Sequence, residues 1–115
     1  GVVAQRLVRK ICPRCKGPYP APEDIKARTG IDTLYRGAGC DYCMQMGYRG
    51  RVAIFELLAV DDEIRDLIMA KATARQIKDR AVALGMRTLH EDGIEKVRKG
   101  MTTIEEVLRV TQVES

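Results

Sequence analysis

Four cysteines in two pairs, Cys12-Pro13-Arg14-Cys15 and Cys40-Asp41-Tyr42-Cys43, are the residues of this chain best placed to do chemistry together. Each pair has two residues between its sulfurs, so one tight turn presents both to the same ion, and 24 residues separate the pairs. Four sulfurs at about 2.3 Å close a tetrahedral structural site with no open position. Pro13 presets the first turn. Gly17 is expected to take the positive φ that lets backbone amides point at the sulfurs, with Gly47 in a similar part beyond the second pair. Two structural disulfides would use the same residues, but no signal peptide is visible and the spacing is that of a metal knuckle. A thioredoxin-like redox site would need one such pair on a βαβ unit. An iron site with four sulfurs shares the ligand set and stays open on sequence alone. The reading taken is one structural zinc ion on Cys12, Cys15, Cys40 and Cys43.

A closed site performs no reaction. It contributes folding energy, on the order of 10 kcal/mol in small zinc modules, which a turn-rich stretch without an aromatic core lacks. Arg14, Lys16, Arg36, Arg49 and Arg51 stand near enough in sequence to offset the double negative charge of four thiolates around a divalent ion, or else are solvated surface. No catalytic residue emerges. His90, the only histidine, falls in the first turn of a predicted helix with no evident partner. Glu56 is an acid within an apolar run; it is expected to pair with Arg49 or Arg51 or to face water at an edge. No Gly-Lys dipeptide occurs, so no phosphate loop of the G-x-x-x-x-G-K-[ST] kind exists, and this chain alone is expected not to hydrolyse ATP.

The elements that must hold the cysteines divide at about residue 60. All four Pro, Tyr and Cys and six of the ten Gly fall in residues 12–50, a stretch of turns. Val2 to Ile11 is ambiguous between strand and helix. Val52 to Leu58 has the profile of a strand buried on both faces. Pro22 to Gly30, with Pro and acids at its start and Gly after its end, reads as a short helix. From Asp61 the pattern is helical. Asp61 or Asp62 caps a helix burying Ile64, Leu67 and Ile68. Thr73-Ala74-Arg75-Gln76 is a capping box for a second, with Ile77, Ala81 and Leu84 inward and Gly85 as its stop. Thr88 opens a third over Leu89, Ile94 and Val97, and Thr103 a fourth over Ile104, Val107 and Leu108. Two junctions, Gly85-Met86-Arg87-Thr88 and Gly100-Met101-Thr102-Thr103, repeat fifteen residues apart, which is shared turn chemistry rather than a solenoid. The expected fold is α+β: a four-cysteine module with short strands over residues 1–60, then a bundle of short helices over 61–115.

Composition limits function further. The chain has 115 residues and 12.9 kDa, enough for one domain or two small lobes. It has no apolar run of the roughly 20 residues a membrane-crossing helix needs, and is expected to be soluble and intracellular, without membrane insertion. The formal charge of +4 counts the thiols as neutral. The basic excess lies in residues 1–60, ten Lys or Arg against five acids, and is spread rather than clustered.

Ala4-Gln5-Arg6-Leu7-Val8-Arg9, then Cys12-Pro13-x-Cys15, then Gly39-Cys40-x-x-Cys43-x-x-x-Gly47-Tyr48-x-Gly50-Arg51, then Glu56-Leu57-Leu58 and the tail Gly100-Met101-Thr102-Thr103-Ile104-Glu105-Glu106-Val107 resemble the C-terminal end of the type II secretion and type IV pilus assembly ATPases. The order and spacing cover Ala4 to Thr111. The resemblance implies that an ATPase core ends near residues 4–9, that Cys12, Cys15, Cys40 and Cys43 hold zinc, and that a helical bundle closes the chain. It implies a parent that is an ATP hydrolase, with ATP and Mg2+ bound in a core preceding Gly1. The parent would be a homohexameric motor in the cytoplasm, peripheral to the bacterial inner membrane, whose partners are its own core, its neighbouring subunits and an inner-membrane platform protein. Pilus retraction ATPases lack the four-cysteine insert, so the resemblance favours the assembly or secretion branch. The alternative is a nucleic-acid-binding zinc ribbon, motivated by the pI of 9.0. Against it, the helices mix Glu with Lys and Arg at similar density, and nucleic acid is not an expected partner.

Overall fold

A computed structural model describes residues 2–57 and 62–111. β1 (Val2–Ile11) pairs antiparallel with β4 (Tyr48–Leu57), with Leu7 opposite Ala53 and Ile11 opposite Tyr48. The first apolar run is therefore a strand. β4 begins before the run at Val52, and Leu58 lies outside the described residues. Burial on both faces does not hold. Val8 and Ile54 are fully buried under Leu89 and Val110, whereas Leu7 and Leu57 are about half-exposed, at 45% and 47%. A two-stranded sheet with its helices on one side has one covered face only.

A second ribbon, β2 (Lys16–Pro20) with β3 (Thr33–Gly37), is joined by α1 (Glu23–Thr29). Gly30 ends α1 in the left-handed region at φ 73° and donates its N–H to the Lys26 carbonyl, the stop signal read from the sequence. Ile31 and Leu34, with Tyr19 and Ile25 beside them, form the main core with Val97 of α4 (Leu89–Arg98) and Ile104 and Val107 of α5 (Ile104–Thr111). Gly93 lets α4 and α5 touch: a Cβ there would stand 2.6 Å from Val107 Cγ1.

Between the strands and these helices come α2 (Asp62–Met69) and α3 (Ala74–Ala83). Asp61 lies outside the described residues. Thr73 and Gln76 form the expected capping box on α3, and Thr88 and Glu91 one on α4. Thr103 Oγ1 accepts the Glu106 N–H at 3.2 Å, but the Glu106 carboxylate does not return to it. Ile64, Ala81 and Met86, with Leu67 and Ile77, make a small separate cluster. Ile68 and Leu84, expected inward, are 49% and 44% exposed. Two helices share a single seam, and both residues fall off it.

The repeated Gly-Met junctions turn out to close part of each margin of the β1–β4 ribbon. An antiparallel pair leaves outward N–H groups that need partners. On β4, the Phe55 N–H donates to Asp92 Oδ2 at 2.9 Å and the Leu57 N–H to the Arg87 carbonyl at 3.2 Å. On β1, the Arg9 N–H donates to Glu106 Oε1 at 2.7 Å and the Ile11 N–H to the Met101 carbonyl at 3.0 Å. Each junction thus supplies one loop carbonyl, and the helix after it one carboxylate. Thr102, fully buried, adds a hydroxyl donated to the Arg9 carbonyl at 2.7 Å, and Tyr48 and Thr103 share a hydroxyl contact of 2.8 Å.

Candidate metal centre

The two cysteine pairs sit where the ribbons meet. Cys12 follows β1 and Cys15 precedes β2; Cys40 caps and Cys43 ends a short 3-10 turn (Asp41–Cys43) between β3 and β4. Chain direction alone therefore brings the pairs together: each ribbon sends one strand into each knuckle. All four sulfurs lie within 4.8 Å of one another. The separations are 3.7 Å for Cys12 to Cys40, 3.8 Å for Cys15 to Cys43 and 3.7 Å for Cys40 to Cys43. A tetrahedron with metal–sulfur bonds of about 2.3 Å has edges of about 3.8 Å. None of the thiols is bonded to another, so two disulfides do not describe this geometry. The cluster is of a size and donor type able to hold one metal ion.

Backbone amides supply the outer contacts. Gly39 donates to Cys15 Sγ at 3.3 Å, Cys40 to Cys43 Sγ at 3.4 Å and Gly47 to Cys43 Sγ at 3.2 Å. Gly47, at φ 80°, has the role expected of it. Gly17 does not: it lies within β2, outside the left-handed region, and Gly39 at φ 101° is the glycine that serves the first knuckle's sulfur. The sequence signal for Gly39 was present, since it directly precedes Cys40. What hid it is that it serves a sulfur in the other knuckle.

These contacts divide the thiols. Burial opposes ionisation of Cys43, but the Gly47 and Cys40 amides and the neighbouring sulfurs of Cys40 and Cys15 outweigh it and bring the thiol down to about 6. Burial pushes Cys15 up to about 11, the sulfurs of Cys12, Cys43 and Cys40 adding to it against the Gly39 amide. Four sulfurs this close cannot all ionise without a positive charge among them, and a bound cation supplies it.

Four of the five nearby cations are stacked on tyrosine rings. Arg14 and Arg49 lie on the Tyr42 ring at 4.0 and 4.2 Å, Lys16 is over Tyr35 at 4.8 Å and Arg36 over Tyr19 at 4.6 Å. Arg14 belongs to the first knuckle and Tyr42 to the second, so their stack joins the pairs alongside the sulfurs. Arg49 also donates to the Tyr42 carbonyl at 3.3 Å.

Glu56 is buried, and neither expected arginine reaches it. Its partners are Lys78 of α3 at 3.2 Å and the Leu89 N–H of α4 at 3.4 Å. The strand's inward face meets the helices, whereas Arg49 and Arg51 lie farther back along it. His90 is exposed, beside an open groove that Ile25, Ile94 and Leu108 also line. Sequence reasoning missed the buried acids Asp92 and Glu106, which read as ordinary first-turn helix charges. Glu106 is 2% exposed and takes Arg9 Nη2 at 2.9 Å and Arg109 Nε and Nη2 at 3.1 and 3.0 Å. Burial would raise its pKa, but these guanidiniums and the Arg9 amide hold it down at about 2.

A four-sulfur cluster at the corner of two ribbons, followed by short helices packed on them, defines an α+β architecture. The chain belongs to the family described as Type II/IV secretion system protein, whose profile matches residues 1–109. It is 49% identical to the type IV pilus assembly ATPase PilB of Thermus thermophilus, over 96% of this chain and 13% of that protein. It is 47% identical to type II secretion system protein E of Pseudomonas aeruginosa, over 99% of this chain and 24% of that protein. Type II secretion system ATPase E of Vibrio cholerae is 44% identical, over 97% of this chain and 23% of that protein. The chain thus spans less than a quarter of the length of these relatives. No helix among the described residues is long and apolar enough to cross a membrane.

Proposed function

We propose that this chain is the C-terminal zinc-binding part of an ATP-hydrolysing motor for type II secretion or type IV pilus assembly, and that it couples or braces the motor rather than catalysing. The observation that carries the zinc reading is the gathering of four sulfurs within 4.8 Å, three of their six separations being 3.7–3.8 Å, the edge length of a tetrahedral zinc–sulfur site. A tetrahedral four-sulfur set accepts zinc or iron; zinc is the reading taken, with Cys12, Cys15, Cys40 and Cys43 as the complete ligand set. Bound there, the ion would supply positive charge and a fixed shape to residues 12–50.

The motor reading rests on the relatives, which are named as ATPases of these two systems. In that reading ATP and Mg2+ belong to the rest of the parent. The parent acts as a homohexamer at the cytoplasmic side of the inner membrane, against a platform protein there. Residues 1–60 carry the knuckle and residues 61–115 the helical closure, two sequence units whose faces meet through β1, β3, β4, α4 and α5. A rigid knuckle transmits displacement where a loop would absorb it. Against the nucleic-acid alternative, Tyr19, Tyr35, Tyr42 and Tyr48 each already carry one or two of the chain's own cations over the ring that would stack on a base.

Metal analysis of the purified chain is the first test: about one zinc per chain is expected, and iron or no metal refutes the zinc reading. Chelation or Cys40→Ser is expected to unfold residues 12–50, seen as collapse of their amide spectrum. For the motor, Cys-to-Ser parents that lose the metal yet keep hexamer formation and secretion would overturn the coupling role.

A further inference from the structure

Gly47 touches both halves of the metal centre through its backbone alone. Its N–H donates to Cys43 Sγ at 3.2 Å, and its carbonyl accepts the Cys12 N–H at 2.9 Å. It is pressed against Gly37, which ends β3 opposite Lys16, the residue after Cys15. The approach is backbone on backbone. A Cβ on Gly37 would stand 2.7 Å from Gly47 Cα, and a Cβ on Gly47 2.6 Å from the Gly37 carbonyl oxygen. Neither neighbour is a flexible side-chain end that could swing away. Gly37 and Gly47 bracket the second knuckle, and the pairing of Gly37 with Lys16 carries their contact to the first, so a main-chain junction between the knuckles is held close by two missing side chains.

We infer that Gly37 and Gly47 are positioning residues of the metal centre: their contact sets the distance between the knuckles, so that a side chain at either weakens metal binding with all four sulfurs still present. The inference rests on the reading of the cysteines as a metal site and goes beyond it, because neither glycine offers a ligand atom. Gly47→Ala also puts Cβ on a residue at φ 80°, whereas Gly37 is not left-handed. Gly37→Ala therefore isolates the contact from backbone strain. Two further variants serve as controls. Gly17→Ala meets nothing within 4 Å and lies in β2, and Gly30→Ala meets nothing within 4 Å but carries a left-handed φ of 73° away from the sulfurs.

The 115-residue chain loaded with zinc is challenged with a chromophoric chelator, and the chain loaded with cobalt(II) is examined by its sulfur-to-metal absorption. Gly37→Ala and Gly47→Ala are expected to release zinc roughly 10–100 times faster than the native chain, the scale of outer-contact losses at metal sites, and to shift the cobalt bands. Gly17→Ala and Gly30→Ala are expected to match the native chain in both. Equal release from all four variants overturns the inference. If neither variant folds, the native chain loaded with cadmium-113 decides. The Gly47 amide proton is expected to show scalar coupling to the metal through Cys43, and its absence overturns the assignment. A native chain that takes up no zinc, cobalt or cadmium refutes instead the metal reading beneath it.

Discussion

Glu106 carries a charge into the interior and is neutralised there by Arg9 and Arg109. Its carboxyl sits at about 2 when folded, against an ordinary value of 4.5. The depressed value means that its stabilisation is complete above about pH 4.5 and is lost as the pH falls toward 2. The difference corresponds to about 3 kcal/mol. Denaturant unfolding of the native chain and Glu106→Gln across that range is expected to show the variant less stable near neutrality and the gap closing as acid is added. A constant gap would refute the assignment. Tyr42 gives a second test at this scale. Tyr42→Ala removes the ring between Arg14 and Arg49 and is expected to cost about 1–2 kcal/mol in thermal or chemical unfolding, while Tyr42→Phe, which keeps the ring, changes little. The gathering of the four cysteines was legible because two-residue spacing is a local constraint. The stack was not, because Arg14 and Tyr42 are far apart in sequence and meet only when the knuckles close.

At the level of elements, turn and cap chemistry read well from sequence: the Gly30 stop and the boxes at Thr73 and Thr88 are contacts within a few residues. Burial read less well. Ile68 and Leu84 fit an amphipathic pattern, yet how much of a stripe is covered depends on how many partners a helix finds. The roles of Asp92 and Glu106 were likewise hidden, since they answer amides of strands some forty and a hundred residues earlier. Gly93 tests how tightly α4 lies on α5. Alanine there improves helix propensity by up to about 1 kcal/mol, but its methyl meets Val107, and overpacking of this kind costs about 1–3 kcal/mol. Gly93→Ala is expected to lower the melting temperature by several degrees. A rise would mean that α5 moves aside without loss.

Across the whole molecule the metal centre and the last helix are in hydrogen-bond continuity. The Cys12 N–H reaches Gly47, the adjacent Ile11 N–H reaches Met101, and Arg9 reaches Thr102 and Glu106 at the start of α5. Loading the four sulfurs with zinc, as proposed, and then removing it is therefore expected to lower hydrogen-exchange protection not only in residues 12–50 but also in α5, and less in α2 and α3, whose apolar cluster is separate. Uniform protection loss, or none in α5, would show that this continuity transmits nothing.

The closed margins of the β1–β4 ribbon bear on how such a module lives among others. A bare strand invites any extended peptide to zip on, and a zipped contact is slow to undo. Here the seats at Arg9, Ile11, Phe55 and Leu57 are already taken by the chain's own turns and carboxylates. A neighbour at those four positions must hold on by side chains, a grip that can be released and remade each time the parts move.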